Sequence, residues 1–279
     1  MRTLQHDHLT ITALDWGGDG APLLLQHPNG FCAGGFDPLA QQLCDEFRPV
    51  AVDVRGHGGS DAPADLAACT FVNAARDVLA ALDALGLDEV VALGHSLGGA
   101  VVVILDALRP GVVRKALLCE AIAYESPPGG PAGTNRMAAA ARKRRAVWPD
   151  RATVLESYGS RPPLDRLDPP ALEAYVRWGF HDRADGTVAL ACAPEVEARF
   201  FDASAEPDGA AFAFAHLPAL EARVPVTIVS GGGTDLRPAM FVEQAVRAGG
   251  AHHSVDGTHF FVQEDTALAA RLVREHLSW

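Results

Sequence analysis

The chain has 279 residues, enough to bury a large core as one domain or as a core carrying an insertion. Apolar residues make up 48% and charged residues 21%, the balance of a folded protein rather than a disordered one. The net charge of −12 disfavours nucleic acid and anionic membrane surfaces as partners.

Five scattered cysteines (Cys32, Cys44, Cys69, Cys119, Cys192) contain no C-x-x-C pair, which argues against a disulfide framework or a zinc site and fits a reducing cytosol. The opening MRTLQHDHLT lacks a signal-peptide core, and no apolar run approaches membrane-span length, so a soluble cytoplasmic protein is expected. Leu9–Leu14 alternates polar and apolar residues and reads as an edge strand pair. After the turn Trp16–Gly20, Pro22–Gln26 is a short apolar strand running into His27-Pro28-Asn29-Gly30-Phe31. Phe36, Leu39, Ala40, Leu43 and Phe47 have helical spacing, and Pro49–Val54 reads as a buried strand leading to the glycine-rich loop Arg55–Asp61. Val72–Leu85 is helical, with Gly86 placed as its stop. A strand from Val90, a helix over Leu97–Leu108 and a strand over Val113–Cys119 follow. Strands and helices alternating through short loops imply right-handed crossovers and a parallel sheet.

The rhythm changes after Glu120. Ser126–Thr134 is rich in proline and glycine, and a helical segment from Met137 to Trp148 is interrupted by Arg142–Arg145. Helix-like pieces at Ala152–Ser157, Pro170–Phe180 and Pro194–Phe201 are separated by proline turns, with one short strand candidate at Thr187–Cys192. The alternation resumes with a strand at Pro225–Ser230, a helix near Pro238–Arg247, a strand at His252–Val255 and a helix over Asp265–Leu277. A mostly helical insertion, placed at 122–216, therefore divides a core made of 1–121 and 217–279.

Gly94-His95-Ser96-Leu97-Gly98 fits the G-x-S-x-G pattern of a strand–turn–helix that exposes a serine. A serine hydroxyl is a weak nucleophile until a base takes its proton and a third group holds that base. Asp235 and His259 follow Ser96 in that order, each in a loop after a later strand.

These stretches, with His27–Gly30 and Asp53–Asp61, resemble the α/β-hydrolase fold with a helical cap, over nearly the whole chain. The resemblance implies a mostly parallel eight-stranded sheet flanked by helices. It implies Ser96 as nucleophile, His259 as general base and then acid, and Asp235 as orienter of the imidazole. Glu120 is the alternative acid, because some members of the fold carry it after the strand that Glu120 ends. The oxyanion donors implied are the N–H groups of Leu97 and Asn29. The family usually reads His-Gly where this chain has His27-Pro28, but that proline is not at the donor position.

Phe31, His95, Trp148 and Phe260 are candidate substrate contacts, although strand alternation turns His95 away from the side of Ser96. Arg142–Arg145 reads either as an attractor of an anionic tail or as a solvated helix face. No cofactor and no metal are expected: no residues have ligand spacing, and Gly231–Gly233 lacks the lysine of a phosphate loop. The expected activity is hydrolysis of a carboxylic ester of a small or medium apolar substrate through an acyl-enzyme. A thioesterase, a lactonase and a C–C bond hydrolase are alternatives on the same residues, and a ligand-binding receptor or scaffold is the non-enzyme alternative. A monomer or a homodimer fits equally.

Overall fold

A computed structural model describes residues 1–125, 135–221 and 223–278; the proline- and glycine-rich stretch at 126–134 lies outside them. In chain order the first half contains β1 (Arg2–His6), β2 (Leu9–Asp15), β3 (Ala21–Gln26), α1 (Asp37–Gln41), β4 (Phe47–Asp53), α2 (Phe71–Leu85), β5 (Val90–His95), α3 (Leu97–Leu108) and β6 (Val113–Cys119). The insertion contributes α4 (Arg136–Ala141), β7 (Val147–Trp148), α5 (Arg151–Tyr158), α6 (Pro169–Trp178), β8 (Phe180–Asp182), β9 (Val188–Leu190) and α7 (Pro194–Ala203). The chain closes with α8 (Ala210–Glu221), β10 (Val226–Gly231), α9 (Ala239–Arg247), β11 (Ala251–Val255), α10 (Phe261–Glu264) and α11 (Thr266–Leu277).

The main sheet has eight strands in the order β1-β2-β4-β3-β5-β6-β10-β11. Only the β1–β2 and β2–β4 pairs are antiparallel; from β4 to β11 the sheet is parallel. Its central strands are apolar throughout because both faces are covered. Leu24, Val50, Val52, Ala92, Leu118 and Ile228 pack on one face against α2, α3, α8 and α9. Leu23, Leu25, Ala51, Val91, Leu93, Leu117 and Val229 pack on the other against α1 and α11. That is the two-residue alternation of a strand read across the sheet. α2 ends where the sequence places its stop, with Gly86 at φ 69.

The insertion departs from its expected form in two ways. Val147-Trp148 is a strand, not part of a helix, and joins β9 and β8 in a small antiparallel sheet. α8 spans the boundary placed at 216–217, yet Ala210, Ala213, Leu217 and Leu220 form one stripe in the core cluster beside α3. The core therefore resumes near residue 210. The insertion itself packs onto the segment after β3, where Phe31 and Cys32 meet Trp148, Leu172, Tyr175 and Phe180. All five cysteines are unpaired thiols, and no helix among the described residues is long and apolar enough to cross a membrane.

Candidate active site

Ser96 stands between β5 and α3 at φ 55 and ψ −117, a backbone region that residues with a side chain seldom occupy. The turn is possible because its flanks carry no Cβ. At Gly94 a Cβ would lie 2.5 Å from the Gly98 carbonyl oxygen, and at Gly98 one would lie 2.1 Å from that of Gln26. Both obstacles are backbone and cannot swing aside. Gly98→Ala is accordingly expected to cost about 3 kcal/mol, the upper range for overpacking, and to lower Tm by roughly 10 °C in thermal denaturation.

His259 lies in the loop between β11 and α10, and its Nδ1 is 2.9 Å from Glu120 Oε2. Glu120 is fully buried immediately after β6, itself at φ 51. Its Oε1 accepts from Gly231 N–H (2.8 Å) and its Oε2 from the Thr234 hydroxyl (2.7 Å). The loop after β10 thus contributes hydrogen-bond donors to Glu120 rather than a carboxylate to His259. Asp235, expected in that place, is exposed on the cavity wall, with no hydrogen bond or ion pair among the described residues. The imidazole is held by the alternative acid, Glu120. His259 Nε2 has no protein partner among the described residues, and His259 and Ser96 line one cavity.

His95 does not reach that cavity. It is fully buried, its Nε2 lies 2.8 Å from the His259 carbonyl oxygen, and burial lowers its pKa well below the usual value. A neutral ring donating from Nε2 therefore steadies the histidine loop from beneath.

The N–H groups of Asn29 and Leu97 have no acceptor among the described residues, and both residues line the cavity with Ser96. Two buried histidines set the direction of the Asn29 loop. His27 Nδ1 is 2.9 Å from the Pro28 carbonyl oxygen, while its Nε2 accepts from Val54 N–H at 3.3 Å. Because C=O and N–H point opposite ways in a trans peptide, fixing the Pro28 carbonyl fixes the Asn29 N–H. His57 Nε2 accepts from Gly30 N–H at 3.1 Å, with Nδ1 3.2 Å from the Arg55 carbonyl. Burial lowers the two pKa values to about 4 and about 3, so both rings stay neutral and each keeps one acceptor nitrogen.

The cavity above Ser96 is about 1600 Å³ and is roofed by the insertion. Phe31, Trp148 and Phe260 line it, together with Tyr158, Tyr175 and Phe200. The arginine run separates by direction. Arg142 is exposed and pairs with Glu195 and Asp202, and Arg145 stacks over Trp148. Arg144 turns inward to the cavity and pairs with Glu197. Sequence reading did not single out Arg144, Glu197 or Tyr175; the only signal was a four-residue basic run inside an otherwise apolar segment.

An uncharacterized Mycobacterium tuberculosis protein is 34% identical over 105 residues, which are 37% of this chain and 30% of that protein. The chain thus spans under a third of that relative's length. Two solved structures match nearly from end to end. E-2-(acetamidomethylene)succinate hydrolase is 21% identical with a TM-score of 0.81, covering 100% of this chain and 98% of that one. The thioesterase domain from the curacin biosynthetic pathway is 18% identical with a TM-score of 0.80, covering 98% of each. The alpha/beta hydrolase fold family matches residues 21–163, just over half the chain and including the strained serine turn; the chain belongs to that family.

Proposed function

We propose that the chain is a serine hydrolase that cleaves a carboxylic ester or related acyl bond through an acyl-enzyme. The observation that carries this reading is the Glu120–His259 contact beside a strained, cavity-facing Ser96. Glu120 accepting from Nδ1–H leaves Nε2 as the basic nitrogen. His259 Nε2 takes the Ser96 proton as Oγ attacks the acyl carbon, then returns it to the departing alcohol. Water, activated by the same nitrogen, releases the acid. The negative oxygen of each tetrahedral intermediate sits against the Asn29 and Leu97 N–H groups, which are preorganised and cost no reorientation.

The apolar lining supports an apolar substrate. A cavity larger than the roughly 300–1000 Å³ of ordinary ligand sites suits a medium or bulky one. A C–C bond hydrolase would need a cap cation free to hold a substrate carboxylate. Arg144 is engaged by Glu197, Tyr158 and Tyr175 and does not supply that cation, whereas Arg136 and Arg161 also line the cavity without a carboxylate partner among the described residues. The test is a screen of p-nitrophenyl esters of graded chain length beside thioesters and lactones. Turnover is expected to rise from acetyl to medium acyl chains. Binding without turnover of any acyl compound, and no labelling by a fluorophosphonate, would leave only the receptor reading.

A further inference from the structure

The Asn29–Gly30 turn is held from the core side by His27 and His57, and from the opposite side by the insertion. Tyr175 of α6 donates its hydroxyl to the Gly30 carbonyl at 2.9 Å, and Asn29 Nδ2 donates to the Glu197 carbonyl of α7 at 2.9 Å. Behind them Arg144 pairs with the Glu197 carboxylate through Nη1, and Nη2 donates to the Tyr175 and Tyr158 hydroxyls at 2.9 and 3.1 Å. The fit is close. Gly30 sits at φ 76, where a Cβ would come within 2.8 Å of the Glu197 carboxyl group and 3.2 Å of Arg144 Nη1. The Tyr175 ring also stacks on Phe31 with centroids 4.5 Å apart, and Phe31 stacks on Phe260, next to His259, at 5.3 Å.

A charged pair placed this deep is costly unless its remaining donors and acceptors are used. Burial works against the Arg144 charge, yet Tyr175, Glu197 and Tyr158 outweigh it and hold the guanidinium charged. Burial likewise pushes the Tyr175 phenol up, so it keeps the proton it gives to Gly30. Nothing in the folding of the sheet requires this cluster, since its members meet only where the insertion touches the oxyanion loop.

We propose that Tyr175, fixed by Arg144 and Glu197, is a positioning residue that latches the Asn29 donor in place, so that the oxyanion site is complete only when the cap is seated. The proposal rests on the serine-hydrolase reading for its catalytic consequence, though not for its structural one. In Tyr175→Phe the Gly30 carbonyl loses its partner while the aromatic stack remains.

The experiment compares wild type and Tyr175→Phe by ester kinetics, by inhibition with a trifluoromethyl ketone, and by hydrogen exchange at the hydrogen-bonded Gly30 and Phe31 amides. Expected are a fall in kcat of about tenfold, less than the loss for removing a donor outright, with KM nearly unchanged. Affinity for the ketone should fall by the same factor as kcat/KM, and exchange at Gly30 and Phe31 should speed up without a general loss of protection. Unchanged kcat and unchanged exchange overturn the latch. If Tyr175→Phe fails to fold, Arg144→Lys keeps the charge opposite Glu197 but gives up the planar fork that fixes both phenols, and the same outcomes apply. A wild-type protein that neither hydrolyses esters nor reacts with a fluorophosphonate removes the hydrolase reading, while the exchange measurement still decides the latch.

Discussion

Ser96→Ala is expected to lower kcat for the best ester of the screen by about 10⁵- to 10⁶-fold, the scale seen when a triad serine is removed. The substitution deletes one oxygen and keeps Cβ, so the turn at φ 55 is no more and no less strained than before. The helix start, the two flanking glycines and the oxyanion donors are untouched. The variant should therefore melt within a degree or two of wild type, bind substrate with similar affinity, and form no fluorophosphonate adduct. What residual rate remains measures the oxyanion site and binding alone, about 10³- to 10⁴-fold over water in enzymes of this design. Retention of more than about one per cent of kcat would mean that the attacking group is elsewhere, or that water is activated directly, and the acyl-enzyme would have to be abandoned.

Ser96 and His259 are legible in the sequence for a local reason. The serine needs a strand, a turn with no Cβ on its flanks and a helix in direct succession, and Val90–Val101 spells that order within twelve residues. The histidine is the one such residue in the loop directly after the last strand. The identity of its partner depends on something less local. Glu120 and Asp235 both follow core strands, and neither spacing nor residue type says which side chain turns inward. The physical signal lay in Glu120 itself: it continues the buried run Ala116–Cys119 without a polar residue between, and a carboxylate in that position must find donors. Thr234 and Gly231 are those donors, so the loop that looked like the source of the acid is its support.

The insertion was legible as an interruption and little more. Strands of two and three residues, such as β7 and β8, are too short to show a period. α8 did carry one, in Ala210, Ala213, Leu217 and Leu220, but its other faces are also largely apolar and hide the stripe. In Arg142–Arg145, one basic run serves a solvent-facing ion pair at Arg142, an inward ion pair at Arg144 and a stack on Trp148 at the cavity wall by Arg145, a division set by the turn after α4 and invisible to charge counting.

Glu120→Gln and Asp235→Asn separate the two candidate acids by the largest margin available after the serine. Every group facing the Glu120 oxygens is a donor: Gly231 N–H on Oε1, Thr234 hydroxyl and His259 Nδ1 on Oε2. A carboxylate accepts from all of them, whereas an amide has one accepting oxygen and an NH₂ that must face a donor. If the NH₂ faces Gly231, an N–H opposes an N–H in a buried site, costing about 1–3 kcal/mol. If it faces His259, the imidazole must move its proton to Nε2, and the nitrogen needed to accept the Ser96 proton is no longer basic. Loss of kcat by about 10³- to 10⁴-fold is expected, as for an isosteric amide in other triads, with KM little changed. Asp235→Asn removes a charge from an exposed side chain with no hydrogen bond or ion pair among the described residues, and kcat should stay within about threefold because a wall charge acts only through screened solvent. The opposite ranking, with Asp235→Asn crippled and Glu120→Gln near wild type, would require the loop after β10 to refold and bring Asp235 to Nδ1 during turnover. Equal small losses would mean that His259 is oriented by its own loop, through the His95 contact to its carbonyl, and needs no acid.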